Sequence, residues 1–211
     1  MKYDLHIHTH YSKCSNLKPI TILKLAKKLK LDGIAVTDHH EIKGALEVKK
    51  LSKNKNFEVI IGEEVSTNYG DILAYYLNKK IDTTDFYEVI DEVRKQGALI
   101  TIAHPFRTTL VQNHKFQLPI EKVKNKINAI ECFNARTLPG DNKKADKIAD
   151  KFGIAKTGGS DSHFFFEIGT AFTIFDGDLR YAIKSRNTKV EGTIFFGPFG
   201  GILSYLRKRV V

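Results

Sequence analysis

Residues 3–8 read Tyr3-Asp4-Leu5-His6-Ile7-His8, and what surrounds them decides the fold. Leu5 and Ile7 alternate with polar residues, the period of a strand. After a polar loop, Pro19 opens a helix in which Ile22, Leu25, Ala26 and Leu29 fall on one face, and Asp32-Gly33 ends it. Residues 34–37 are the next strand, 42–51 a helix, and 57–61 and 71–77 two further strands. The same unit then recurs. Phe86, Val89, Ile90 and Val93 mark a helix stopped by Gly97, strands follow at 98–103 and 129–133, and a helix on Ala145, Ile148, Ala149 and Phe152 is capped by Gly153 before a strand at 154–157. Toward the end we read a strand at 171–175, a helix at 179–185, a loop over 197–201 and a terminal helix from Gly201. About seven strands interleaved with helices fit one α/β domain over residues 1–211, closed into a distorted (β/α)7 barrel of TIM-like form. Such a barrel gathers its chemistry on the loops at the carboxyl ends of its strands.

Composition agrees with a globular chain: 42% of the 211 residues are hydrophobic and 27% charged. No apolar run approaches the roughly eighteen residues of a membrane span, and the first residues lack the apolar core of a secretory signal. The expectation is a cytoplasmic protein with no membrane partner. Two cysteines, Cys14 and Cys132, exclude a disulfide framework and a four-cysteine zinc fold. The net charge of +10 favours anionic partners such as phosphates or nucleic acid, although much of it is lysine on helix surfaces, as at Lys24, Lys27, Lys28 and Lys30. Nothing in the sequence signals an oligomeric state.

The histidines carry the chemical signal. Of eight, His6, His8, His10, His39, His40, His104 and His163 lie at or just beyond the end of an expected strand, and His114 stands apart. On a strand, residues i and i+2 share a face, so His6 and His8 can converge on one metal ion, with Asp4 on the same face to pair with a ligand imidazole's free N–H. Thr37-Asp38-His39-His40, Gly62-Glu63-Glu64, His104-Pro105 and Gly159-Ser160-Asp161-Ser162-His163 each add ligands at another strand end. So many nitrogen and oxygen donors imply more than one divalent ion, with zinc, manganese and iron all chemically acceptable. Neighbouring divalent ions acidify a bridging water and clamp the oxygens of a displacement, so phosphoester hydrolysis is the natural use. Arg107 and Arg136 follow strands closely enough to reach phosphate oxygens.

Four blocks, Asp4-Leu5-His6-Ile7-His8-Thr9, Thr37-Asp38-His39, Ala103-His104-Pro105 and Gly159-Ser160-Asp161-Ser162-His163, together with Gly62-Glu63-Glu64-Val65-Ser66, resemble in order those of the PHP superfamily, named for polymerase and histidinol phosphatase. The resemblance runs along most of the chain. It implies a distorted seven-stranded (β/α) barrel, two or three divalent metal ions and phosphoesterase activity. It further implies that His6, His8, Glu64 and Asp161 bind one metal, that Glu64 bridges to a second which His163 approaches, and that His39 and His104 serve a third. Val65-Ser66 favours Glu64 over Glu63, which is kept as the alternate. Two departures stand out. Where many members carry an aspartate after the first block, this chain reads Ser12-Lys13-Cys14-Ser15, so Cys14 either replaces that ligand or the third site is weak. Where an exonuclease-like branch carries a histidine, Asp71 stands, as a ligand or as a turn residue.

The resulting expectation is hydrolysis of a phosphate ester by attack of a metal-bridging hydroxide. The substrate is a nucleotide, a small phosphorylated metabolite or an oligonucleotide end; His104 or His163 protonates the leaving oxygen, and Arg107 and Arg136 stabilise the developing charge. The alternatives are a noncatalytic RNA-binding subunit on the same barrel and a metal-dependent amidohydrolase.

Overall fold

The computed structural model describes residues 1–108, 115–194 and 197–210; His114 lies outside them. Nine strands form one sheet in the order β7-β6-β5-β4-β3-β2-β1-β8-β9. Strands β1 (Lys2–Ile7), β2 (Gly33–Val36) and β3 (Glu58–Thr67) pair in parallel, each joined to the next by a helix, α1 (Pro19–Lys28) and α2 (Lys43–Leu51). Pro19 at the start of α1 gives up an amide that would have no intrahelical partner, and Ile22, Leu23 and Ala26 bury its inner face.

The repeat then breaks. Strand β4 (Gly70–Tyr75) turns back antiparallel on β3, because Gly70 holds φ at 125°, a conformation that suits glycine. Helix α3 (Phe86–Lys95) restores the pattern: Asp85 caps it by accepting from the amides of Tyr87 and Glu88, and Phe86, Val89, Ile90 and Val93 form its buried stripe. Strand β5 (Leu99–Ile102), the short α4 (Ile120–Val123), β6 (Ala129–Asn134), α5 (Pro139–Phe152) and β7 (Ala155–Gly159) complete the parallel series. Gly153, at φ 59°, ends α5.

Two antiparallel strands, β8 (Ala171–Phe175) and β9 (Thr188–Gly192), extend the sheet beyond β1 with α6 (Leu179–Ser185) between them. The expected barrel-shaped sheet is present and has nine strands, the first eight of them at the segments read from the sequence. Strand β9 escapes the sequence reading because only Val190 in Thr-Lys-Val-Glu-Gly is apolar, and all five residues are half-buried or exposed. The terminal helix α7 (Gly197–Val210) begins four residues before Gly201 and absorbs the expected loop. Among the described residues no helix is long and apolar enough to cross a membrane.

The sheet nearly closes where the carboxyl end of β7 meets β1. The His8 amide donates to Ser162 O at 2.9 Å, the Ser162 amide to His6 O at 3.3 Å, and the Ser160 amide to Asp4 Oδ1 at 2.8 Å. Gly159 permits this approach, since a Cβ there would stand 2.5 Å from the Cβ of His6. One apolar cluster takes Tyr3, Leu5, Ala35, Ile60, Leu73, Tyr75, Leu99, Ala129 and Ala155 from the successive strands β1 to β7, which fills the barrel interior. Two others lie under α1 and α2 and under α3 to α5. The strand ends are thereby fixed around one mouth.

Candidate metal centre

Glu64 stands at the middle of that mouth. Its Oε2 lies 3.4 Å from His6 Nε2, 3.2 Å from His8 Nε2 and 3.0 Å from His39 Nδ1, while Oε1 lies 3.0 Å from His104 Nε2. Asp161 faces it across the two β1 histidines, with Oδ1 at 3.6 Å from His6 Nε2 and 3.3 Å from His8 Nε2. The two Nε2 atoms are themselves 3.1 Å apart. Donor atoms at about 2.0–2.2 Å around a tetrahedral ion are separated by about 3.3–3.6 Å, and the donor atoms of His6, His8 and Asp161 lie close enough together to hold one ion, with Glu64 Oε2 3.2–3.4 Å from the two imidazoles.

Further groups whose donor atoms all lie within 4.8 Å of one another are His8-His39-His163, Glu64-Asp71-His104 and His6-His104-Glu131. In these groups His39 stands with His8 and His163, and His104 stands with Glu64 and Asp71 or with His6 and Glu131, while both His39 and His104 lie 3.0 Å from a Glu64 oxygen. Strand register is the reason. Asp71 on β4 lies opposite Ser66 of β3, and the His39–Glu64 bridge sets the second strand end beside the third.

The carboxylates of the site are buried and depend on cationic partners. Glu64, Asp161 and Glu131 are 2%, 1% and 1% exposed, and buried carboxylates are costly unless paired. Burial by itself lowers the pKa of His6 and His39, but the carboxylates Asp161, Glu131 and Glu64 around His6, and Glu64 with Cys14 beside His39, outweigh it and hold both well above the usual value. His39, His6 and His104 keep Glu64, and His6, the Arg107 guanidinium and His8 keep Asp161, well below the ordinary carboxylate range against the opposing effect of burial. His163 is the exception: burial and the neighbouring Arg136 guanidinium hold it well below its usual value, as a neutral imidazole. The imidazole nitrogens and carboxylate oxygens gathered here are a donor set that fits divalent metal ions. Backbone geometry is also unusual at this place, with His104 at φ 26° and Asp161 at φ 54°.

The remaining candidates sort clearly. Glu63, next to Glu64 on a strand, points to the opposite face, accepts from the Ile81 amide at 2.9 Å and joins no such group among the described residues. Cys14 sits beside His39 rather than inside any of these groups; burial raises its thiol pKa, and the His39 hydrogen bond and charge bring it below the usual value. His10 is exposed against Tyr11, and His40 accepts from the Ser66 amide at 3.3 Å. Arg107 donates to Asp161 Oδ2 at 2.7 Å, and its Nε is buried without a hydrogen-bond partner among the described residues. Arg136, expected from the sequence to reach phosphate oxygens, is 5% exposed and each of its nitrogens has a protein partner: Nε donates to Glu167 Oε1 at 2.9 Å, Nη2 to Ser204 Oγ at 2.9 Å, and Nη1 stands 3.0 Å from His163 Nδ1. That Nδ1 is also 2.8 Å from Asp161 O; it donates there when protonated and accepts from Arg136 when not. Asp4 does not pair with an imidazole either. It accepts from the amides of His6, Ser160 and Gly169 and so ties β1 to the last ligand loop.

Glu131 fills the role expected of Asp4. Its Oε1 lies 2.9 Å from His6 Nδ1, and its Oε2 accepts from the His104 amide at 2.8 Å and from Asn134 Nδ2 at 3.1 Å. Sequence reading missed it, although a carboxylate inside the apolar run Ala129-Ile130-Glu131-Cys132-Phe133 was a usable signal. Asp38 braces the other side, accepting from Thr9 N and Ser12 Oγ at 2.7 Å each, and Ser12 Oγ lies 3.4 Å from His8 Nδ1.

A family model described as PHP domain matches residues 4–152, which includes His6, His8, His39, Glu64, Asp71 and His104. The chain belongs to the PHP family. A second model, PHP-associated, matches residues 139–188 and so takes in Asp161 and His163. This PHP chain is 38% identical over 182 residues to uncharacterized protein MJ0417 of Methanocaldococcus jannaschii, covering 83% of this chain and 70% of that one. A two-domain protein from Bacteroides vulgatus, containing a predicted PHP-like metal-dependent phosphoesterase, superposes with a TM-score of 0.76 at 18% identity. The match covers 92% of this chain and 65% of that one, so this chain spans about two thirds of that protein's length. An amidohydrolase from Chromobacterium violaceum gives a TM-score of 0.64 at 16% identity, over 90% of this chain and 97% of that one. At such identities both structures show a shared fold alone.

Proposed function

We propose that this PHP protein is a metal-dependent phosphoesterase, with His6, His8, Glu64 and Asp161 holding one divalent ion, Glu64, Asp71 and His104 a second, and His39 and His163 ligating a third beside His8. The single observation that carries this reading is the shell around Glu64, where donor atoms of four histidines and Asp161 approach within 3.0–3.6 Å of one another or of the carboxylate. Divalent ions bound by such ligands supply Lewis acidity toward a phosphoryl group and lower the pKa of the attacking water.

The protein's own residues then have separate tasks. Glu131 fixes the tautomer of His6, since a carboxylate at Nδ1 keeps the proton there and leaves Nε2 to ligate. Arg107 is the guanidinium placed to meet substrate oxygens, anchored by Asp161 and with Nε still uncommitted among the described residues. Arg136 acts on His163 and Glu167 instead of on substrate. His104 and His163 serve as ligands in this reading.

The test is hydrolysis of an aryl phosphate and of an aryl amide, side by side, by protein as purified, after metal removal and after readdition, with Asp161→Ala as control. Phosphate ester turnover that requires both metal and Asp161 is the expected result. Turnover of the amide alone would replace this reading with the amidohydrolase one.

A further inference from the structure

Helix α7 lies on the barrel with its polar side inward. Gly200 and Ser204 are buried; Ser204 Oγ accepts from Arg136 Nη2 at 2.9 Å, and one turn on, Arg207 Nε donates to Ser15 O at 3.2 Å. Any larger residue than glycine at 200 would collide with the Glu167 carboxylate, so the helix is held close along this face. Phe199, Ile202, Leu203 and Leu206, at the i, i+3, i+4, i+7 spacing of one stripe, point the other way and are 69%, 38%, 46% and 54% exposed. An apolar stripe turned outward while a polar one is buried is a surface made for an apolar occupant.

Charge identifies the occupant. Residues 192–211 contain Arg207, Lys208 and Arg209 and no carboxylate; residues 5–31 contain six lysines and no carboxylate. The two segments meet at the Ser15–Arg207 hydrogen bond, and Lys13, Lys18, Lys208 and Arg209 are exposed. We infer that this face docks on an anionic lipid surface, with the outward stripe of α7 seated at the boundary of headgroups and acyl chains and the flanking cations among the headgroups. Three of the four stripe residues, Ile202, Leu203 and Leu206, are aliphatic and Phe199 is the one aromatic among them, a composition that favours lipid over nucleic acid, whose recognition uses cations and successive aromatic stacking. A second copy of this chain would bring like charges together. The fourteen-residue helix is too short to span, so the contact is peripheral, a mode that the missing membrane span does not exclude. This inference is independent of the phosphoesterase reading.

Co-sedimentation of the full chain with vesicles tests it. The protein is expected to sediment with vesicles of equal parts phosphatidylcholine and phosphatidylglycerol and to stay mostly in solution with phosphatidylcholine alone. The Leu203→Asp, Leu206→Asp double variant should lower partitioning on the order of tenfold or more, since both side chains leave water on docking. Lys208→Glu with Arg209→Glu provides a second variant, expected to lose the anionic vesicles with unchanged circular dichroism. Wild-type protein that ignores anionic vesicles overturns the inference, as do variants that bind as wild type does. A stripe-dependent dimer in sedimentation equilibrium, or stripe-dependent RNA binding, without vesicle binding overturns it in favour of the other occupant.

Discussion

Replacing Glu63 with Gln separates two adjacent glutamates that the sequence presents as alternatives. Glu63 is fully buried, with one carboxylate oxygen bonded to the Ile81 amide and the other without a partner among the described residues. Burial is the main cause that raises its pKa from the ordinary 4.5 to about 7, the Ile81 hydrogen bond opposing it. Between those values the folded protein holds a proton that the unfolded chain has released, so stability falls as pH rises through this window. At about 1.4 kcal/mol per pH unit of separation, the stability lost relative to a permanently neutral side chain, because the unfolded chain ionises Glu63 more readily than the fold does, is about 1 kcal/mol at pH 5 and about 3 kcal/mol at pH 8. Gln imitates the protonated acid at every pH. The stability of Glu63→Gln relative to wild type should therefore improve by about 2 kcal/mol between pH 5 and pH 8, measured by urea unfolding at fixed free metal. Metal content should be unchanged in Glu63→Gln and greatly reduced in Glu64→Gln. A difference in stability that stays flat with pH would refute the burial argument, and loss of metal on changing Glu63 with retention on changing Glu64 would refute the assignment of faces.

Other outcomes follow from the same geometry. Glu131→Gln presents an amide NH2 to one of two donors, His6 Nδ1–H or the His104 amide, so metal affinity should fall about 10- to 100-fold by competition with a chromogenic chelator, with the fold intact. Arg136→Ala strands the buried Glu167 carboxylate and should cost about 3–5 kcal/mol in urea unfolding, much of it recovered when Glu167→Gln is added. Gly159→Ala forces a methyl against His6, so β7 must move off β1; a loss of about 1–3 kcal/mol and weaker metal binding are expected.

The parts legible in the sequence are those set by local period. His6 and His8 share a strand face, Phe86, Val89, Ile90 and Val93 share a helix face, and the strand ends collect the ligands wherever the strand is apolar enough to recognise. What stayed hidden depends on register or on distant partners. Choosing Glu64 over Glu63 from the strand itself needs the face that β3 turns inward, and the pairing of His39 with His163 needs the barrel to close. Arg136 looks like any arginine after a strand until Glu167, thirty-one residues on, captures its guanidinium. Helix α7 contradicts the rule used to read helices, because its buried side is Gly200 and Ser204 and its apolar stripe faces out.

The central claim is that the shell around Glu64 holds divalent metal. Elemental analysis of protein purified without chelator, beside Asp161→Ala, tests it most directly. Two or more divalent ions per folded wild-type chain, with a clear loss in the variant, is the predicted result. A folded wild-type chain that carries no metal and binds none on titration would contradict it.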